Sequence, residues 1–136
     1  MPGVVDPCWH GSGTVADNRR VDGLELVVLR SADLEAARGF YECIGLRFQM
    51  ERHGDGPEHC SAAGSAGVLE IYPALDGVPD RVGLGFAVAD VVAAAEVFRV
   101  AGFVPGEISD KPWGSSFVVR DPDDRRVEVR QAPERT

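Results

Sequence analysis

The sequence reads as an α+β fold made of two βαβββ modules in tandem. Three observations carry this reading. An aspartate suited to capping a helix occurs twice, as Asp33 and Asp90, 57 residues apart. At the same offset Ala36, Ala37, Tyr41 and Gly45 are answered by Ala93, Ala94, Phe98 and Gly102. Val68-Leu69-Glu70-Ile71 is answered by Arg126-Val127-Glu128-Val129, with Glu70 and Glu128 58 residues apart. A cap, an apolar stripe and a stop that recur together mark an internal repeat.

The first module spans 23–73. Leu24–Arg30 is rich in Leu and Val and predicts a strand. Asp33 can accept the unpaired N–H groups of a first helical turn. The helix follows over 34–44, with Leu34, Ala37, Tyr41 and Ile44 on one stripe. Gly45 is placed to end it in the left-handed conformation. Leu46–Arg52, Glu58–Ala63 and Gly67–Tyr72 are the next three strands, separated by glycine-rich turns. Pro73–Asp80 connects the modules. The second module spans 81–131, with strand Val82–Val88, helix 91–101, and strands Gly102–Ile108, Ser115–Arg120 and Arg126–Gln131. The tight turn Asp121-Pro122-Asp123-Asp124 joins the last two strands and reads as solvated surface charge. Asp124 tolerates positive φ better than most residues. Residues 1–22 carry prolines and glycines without periodicity and read as a loose arm, in which Trp9 either packs on the domain or a second subunit or is merely tethered, and His10 gives no site signal. Residues 132–136 read as a tail.

Composition bounds the function. The chain has 136 residues and a formal net charge of −8, so it repels phosphate backbones and nucleic acid is not an expected partner. The same charge points to a cationic small molecule as a more natural guest. No apolar run reaches the roughly 20 residues that span a bilayer, and residues 1–20 lack the pattern of a secretory signal. Cys8, Cys43 and Cys60 have no metal-like spacing and read as reduced thiols in a cytoplasmic protein. Cys60 as a nucleophile is the other reading, with His59 beside it; neighbours in a strand point to opposite faces, which argues against that pair.

The ordered set of motifs resembles the glyoxalase/bleomycin-resistance/dioxygenase (vicinal oxygen chelate) superfamily over about 24–131. Leu26-Val27-Val28-Leu29-Arg30-Ser31-Ala32-Asp33-Leu34-Glu35, Phe40-Tyr41-Glu42, Gly45-Leu46 and Val68-Leu69-Glu70-Ile71-Tyr72 resemble its first module. Phe86-Ala87-Val88-Ala89-Asp90, Ala101-Gly102-Phe103, Trp113-Gly114 and the stretch Arg120–Val129 resemble its second. The resemblance implies curved mixed sheets around a cup that holds the ligand, and a homodimer. In metal-dependent relatives it implies ligands at four positions, here Leu26, Glu70, Gly83 and Glu128. Both carboxylates are present and both imidazoles are missing. Two carboxylates alone do not suit Zn²⁺, Ni²⁺ or Fe²⁺. No tightly bound cofactor is therefore expected, and a hard cation on Glu70 and Glu128 would bind weakly.

Strand parity places Leu84, Phe86 and Val88 on one face and Gly83, Gly85 and Ala87 on the other. The small face either leaves room for a ligand or accommodates close backbone packing. Glu128 is either a cup carboxylate or the partner of an arginine across the sheet. Trp113 either stacks on a flat ligand at the rim or serves a core or an interface. His59, at a strand start, is a better ligand-binding candidate than His53, which flanks a turn. Three functions follow. The first is sequestration of a drug or metabolite in a metal-free cup. The second is a lyase, isomerase or epimerase, with Glu70 and Glu128 as catalytic groups whose mutual repulsion would raise one pKa. The third is an interaction module with a vestigial cup.

Overall fold

The computed structural model describes residues 23–64 and 67–133. The arm over 1–22, with Cys8, Trp9 and His10, lies outside the described residues, and so do residues 134–136. The element order is β1 (Leu26–Ser31), α1 (Leu34–Glu42), β2 (Gln49–Glu51), β3 (His59–Gly64), β4 (Gly67–Pro73), β5 (Leu84–Val88), α2 (Val91–Val100), β6 (Ser109–Lys111), β7 (Gly114–Arg120) and β8 (Arg126–Gln131). Two four-stranded sheets result, ordered β1-β4-β3-β2 and β5-β8-β7-β6. In each, the first strand runs parallel to the last and the other pairs are antiparallel. The repeat in the sequence is therefore a repeat of topology.

The helices begin as the sequence dictates. Asp33 accepts from the Ala36 N–H and Asp90 from the Ala93 N–H, each at 3.1 Å. Each cap satisfies one N–H that has no partner inside its helix. The ends differ. After Glu42 the chain tightens through N–H bonds from Cys43, Ile44 and Gly45 to carbonyls three residues back, so α1 is shorter than the expected 34–44. At α2, Gly102 takes φ +95° and the Phe103 N–H reaches back to the Phe98 carbonyl at 2.9 Å, a six-residue closure that a side chain at 102 would strain.

Two expected strands are displaced. The stretch 102–108 is not a strand; pairing starts only at Ser109. Pro105 has no N–H to give a ladder. The Gly106 N–H bonds the Val118 carbonyl at 2.8 Å, and Phe103 packs into the core. The strand expected over 46–52 contracts to Gln49–Glu51; Leu46 and Phe48 still face the core, but ladder pairing with β3 begins only at Gln49.

One apolar core joins both modules. Phe40 of α1 meets Phe98 of α2 and Phe103 beyond it, both at 5.0 Å between ring centres, and Tyr41 packs near Phe86 of β5. Both helices and the inward sides of both sheets feed this core, which leaves the other face of each sheet without a helix.

The acidic turn of the last hairpin is not surface charge. Arg125 is fully buried, with its guanidinium 2.8 Å from both Asp80 and Asp121 and 3.2 Å from Asp123. It also donates to the Arg30 carbonyl. The Tyr41 hydroxyl donates to Asp121 at 2.5 Å, and Asp80 accepts from the Arg30 N–H at 2.9 Å. β1, α1, the connector and the last hairpin are thus tied at one buried charge. Burial, then the bonded Asp121, pushes the Tyr41 phenol above its usual range. Asp124 takes φ 68°, as its place in the turn requires.

Candidate ligand site on the open sheet faces

Alternation of burial assigns the residues of β1, β4, β5 and β8 to a face. On β1, Leu29 and Ser31 are buried while Leu26 and Val28 lie on the open side, Leu26 half exposed at 50%. On β4, Leu69 and Ile71 face the core, with Val68, Glu70 and Tyr72 opposite. On β5, Gly85 and Ala87 are open, and Gly83 precedes them by alternation. On β8, Val127 and Val129 face the core while Arg126, Glu128 and Arg130 do not.

Register then fixes the company of the two carboxylates. Glu70 stands between Val28 on β1 and Ser61 on β3. Glu128 stands between Gly85 on β5 and Val118 on β7. The two glutamates hold equivalent places on separate sheets. Neither has a nitrogen donor as its cross-strand neighbour, so the donor set at Leu26, Glu70, Gly83 and Glu128 does not fit a transition metal. Among the described residues neither glutamate makes an ion pair. The cross-strand arginine pairing considered for Glu128 is absent from that set.

The glycines of β5 are not demanded by close packing. A Cβ on Gly83 would meet no atom nearer than 3.8 Å, and one on Gly85 none nearer than 3.9 Å. Both distances are ordinary contact, so side chains would fit against the strands. What the glycines do is keep the open face low beside Glu128.

The charge of these faces differs from that of the chain. Arg30, Arg120, Arg126 and Arg130 share the open sides with Glu70 and Glu128. The net negative charge is carried elsewhere, and the inference from chain charge to a cationic guest does not transfer to this surface. The arginines carry no sequence signal of their own; only the strand register collects them.

The remaining candidates disperse. Trp113 is 71% exposed at the tip of the β6–β7 hairpin, so it serves no core. Cys60 faces the core, and burial pushes its thiol up to about 11, which leaves it protonated and a poor nucleophile near neutrality. His59 is buried on the open side of β3, stacked on Tyr72 with ring centres 4.0 Å apart and planes 7° apart. Its Nε2 lies 3.4 Å from Glu51 and not beside Glu70. Sequence reasoning missed Tyr72 and Glu51; only the strand register brings them to His59, Glu51 across the hairpin and Tyr72 by stacking from β4.

Twin βαβββ modules, each with a helix on one face of its sheet and a carboxylate-bearing open face, define the glyoxalase-like fold. The chain belongs to the Glyoxalase/Bleomycin resistance protein/Dioxygenase superfamily, whose family profile matches residues 23–129. No curated protein sequence matches it. Among solved structures it is similar to TnmS3, an antibiotic binding protein from Streptomyces sp. CB03234, with TM-score 0.69 and 22% identity, covering 83% of this chain and 98% of that one. It is similar to a lactoylglutathione lyase from Agrobacterium tumefaciens, with TM-score 0.63 and 20% identity, covering 84% and 96%. It is also similar to the oxidase ChaP-H1, with TM-score 0.66 and 19% identity, covering 83% and 98%. At these identities the likeness is one of fold. No helix among the described residues is long and apolar enough to cross a membrane.

Proposed function

We propose that this protein binds a small organic molecule on the open sheet faces and holds it without a catalytic metal at Leu26, Glu70, Gly83 and Glu128. The observation that carries the reading is the company of the two glutamates: apolar or hydroxyl neighbours, no imidazole, and a glycine-lined floor beside Glu128. The antibiotic-binding neighbour supports the same use of the fold. The arginines on these faces favour a flat ligand that carries an acidic group, with the glutamates taking its hydroxyl or amine functions. Trp113 at the hairpin tip is suited to cover such a ring. A cytoplasmic setting fits the free thiols Cys43 and Cys60. A homodimer belongs to the same reading, since a second copy facing the open sheets would complete the walls of a cup lined by the exposed Leu26 and Val28; light scattering should then give twice the 14.6 kDa of the chain, and a clean monomer would contradict it.

The test is a binding screen with aromatic acids, aromatic cations and antibiotics, followed by Glu128→Gln. The variant should fold normally and shift the dissociation constant of a hit at least about fivefold, about 1 kcal/mol. The shift should weaken cations and tighten acids. Unchanged binding would place Glu128 outside the site. The second reading, a lyase, isomerase or epimerase that moves a proton through Glu70 or Glu128, is favoured by the retention of both carboxylates at equivalent register. Solvent deuterium appearing in a bound ligand, and lost in Glu70→Gln or Glu128→Gln, would select it.

A further inference from the structure

We infer that Glu51, His53 and His59 form a divalent metal site, suited first to Zn²⁺, at the β2–β3 hairpin. It shares no residue with the four cup positions and goes beyond the ligand-binding reading. Glu51 ends β2, His59 begins β3, and the two pair directly across the hairpin. His53 stands in the connection two residues beyond Glu51. The three candidate ligand atoms all lie within 4.8 Å of one another. Nε2 of His59 is 3.4 Å from the Glu51 carboxylate, and Nε2 of His53 is 3.6 Å from it. Ligand atoms around a tetrahedral Zn²⁺ with bonds of about 2.0–2.2 Å stand roughly 3.3–3.6 Å apart. The two separations from the carboxylate fall in that range, and the exposed His53 can close the third, which is within 4.8 Å.

The second observation is His59 itself. Its side chain is 1% exposed, yet its Nε2 has no hydrogen-bond partner among the described residues, although the Glu51 carboxylate lies 3.4 Å away. A buried ring nitrogen left in that state is destabilising unless it serves another purpose. The Nδ1 atom lies 3.2 Å from the Pro57 carbonyl, which can only accept. Nδ1 is therefore the protonated nitrogen, and Nε2 presents its lone pair to the cluster. Metal-binding histidines are oriented by this same arrangement of a second nitrogen on a backbone carbonyl. Stacking on Tyr72 clamps the ring, so the buried ligand is rigid. His53 is the adaptable ligand, with a side chain 74% exposed. Two neutral imidazoles and one carboxylate match the donors that borderline divalent ions prefer, and they leave a fourth position for water or a ligand oxygen. The ion would fasten the turn to both strands of the hairpin.

The test uses the untagged full chain, stripped with chelator and titrated with Zn²⁺ by calorimetry, with Co²⁺ absorption as a second readout. One equivalent should bind in the micromolar range or tighter. His53→Ala changes an exposed side chain and should preserve the circular dichroism spectrum while weakening Zn²⁺ at least about tenfold. Glu51→Gln should do the same, and both should remove the intense visible bands of low-coordinate Co²⁺. Glu70→Gln and Glu128→Gln should leave the affinity unchanged, which keeps this result separate from the ligand-binding reading. Absence of binding in the micromolar range would overturn the site, as would affinity equal in the wild type, His53→Ala and Glu51→Gln.

Discussion

Replacing Arg125 with methionine is expected to lower folding stability by about 3–5 kcal/mol, read from urea unfolding of the purified chain. Methionine fills much of the same volume but carries no charge. It would leave Asp121, whose side chain is fully buried, without its cation and with only the Tyr41 hydroxyl and turn N–H groups for company. It would also strand the Arg30 carbonyl. Breaking a buried pair from one side is costly because the remaining charge keeps its desolvation penalty. Domains of this size have about 5–15 kcal/mol in total, so the loss would be a large share. Arg125→Lys should not rescue it, because one ammonium cannot span Asp80, Asp121 and Asp123 as the planar guanidinium does. A loss under about 1 kcal/mol would mean that these aspartates are solvated and the modules are held by apolar contact alone.

Gly85→Leu is expected to do the opposite: leave folding intact and remove binding. The nearest atom to a Cβ at this position is the Glu128 carbonyl at 3.9 Å, so the side chain enters open space over the sheet. Strand propensity gains slightly when glycine is replaced. A leucine standing beside Glu128 would occupy the floor proposed for the ligand. Losing about 2 kcal/mol of contact there weakens a hit of the binding screen about 30-fold. Ala36→Leu, on the helical side, serves as a control for the same added bulk away from that face. Binding that survives Gly85→Leu would move the ligand off this surface.

The parts of the fold legible in the sequence are those set by local chemistry. Asp33 and Asp90 cap, Gly102 stops, and Leu69, Ile71, Val127 and Val129 alternate, each within a few residues of its cause. Parity likewise gave the open faces of β5 and β8 in advance. The clasp around Arg125 was not legible, because its partners Arg30 and Asp80 lie 95 and 45 residues away in the chain. Nothing local separates an acidic turn that grips a buried arginine from one that faces water. The cluster at His59 was half legible. His59 stood out at a strand start, but its meeting with Glu51 depends on the register of the β2–β3 hairpin, which no local signal in the sequence gives. The charge of the open faces is not legible in the sequence, since a whole-chain sum says nothing of which residues the strands bring to one side.

The most direct measurement is chemical-shift mapping on the isotope-labelled chain, titrated with a hit of the binding screen. Saturable changes should concentrate at Val28, Glu70, Gly85 and Glu128, on the sides of both sheets that carry no helix. Changes confined to Ala36, Val92 and their neighbours on the helices, with those four residues silent, would contradict this account of what the open faces are for.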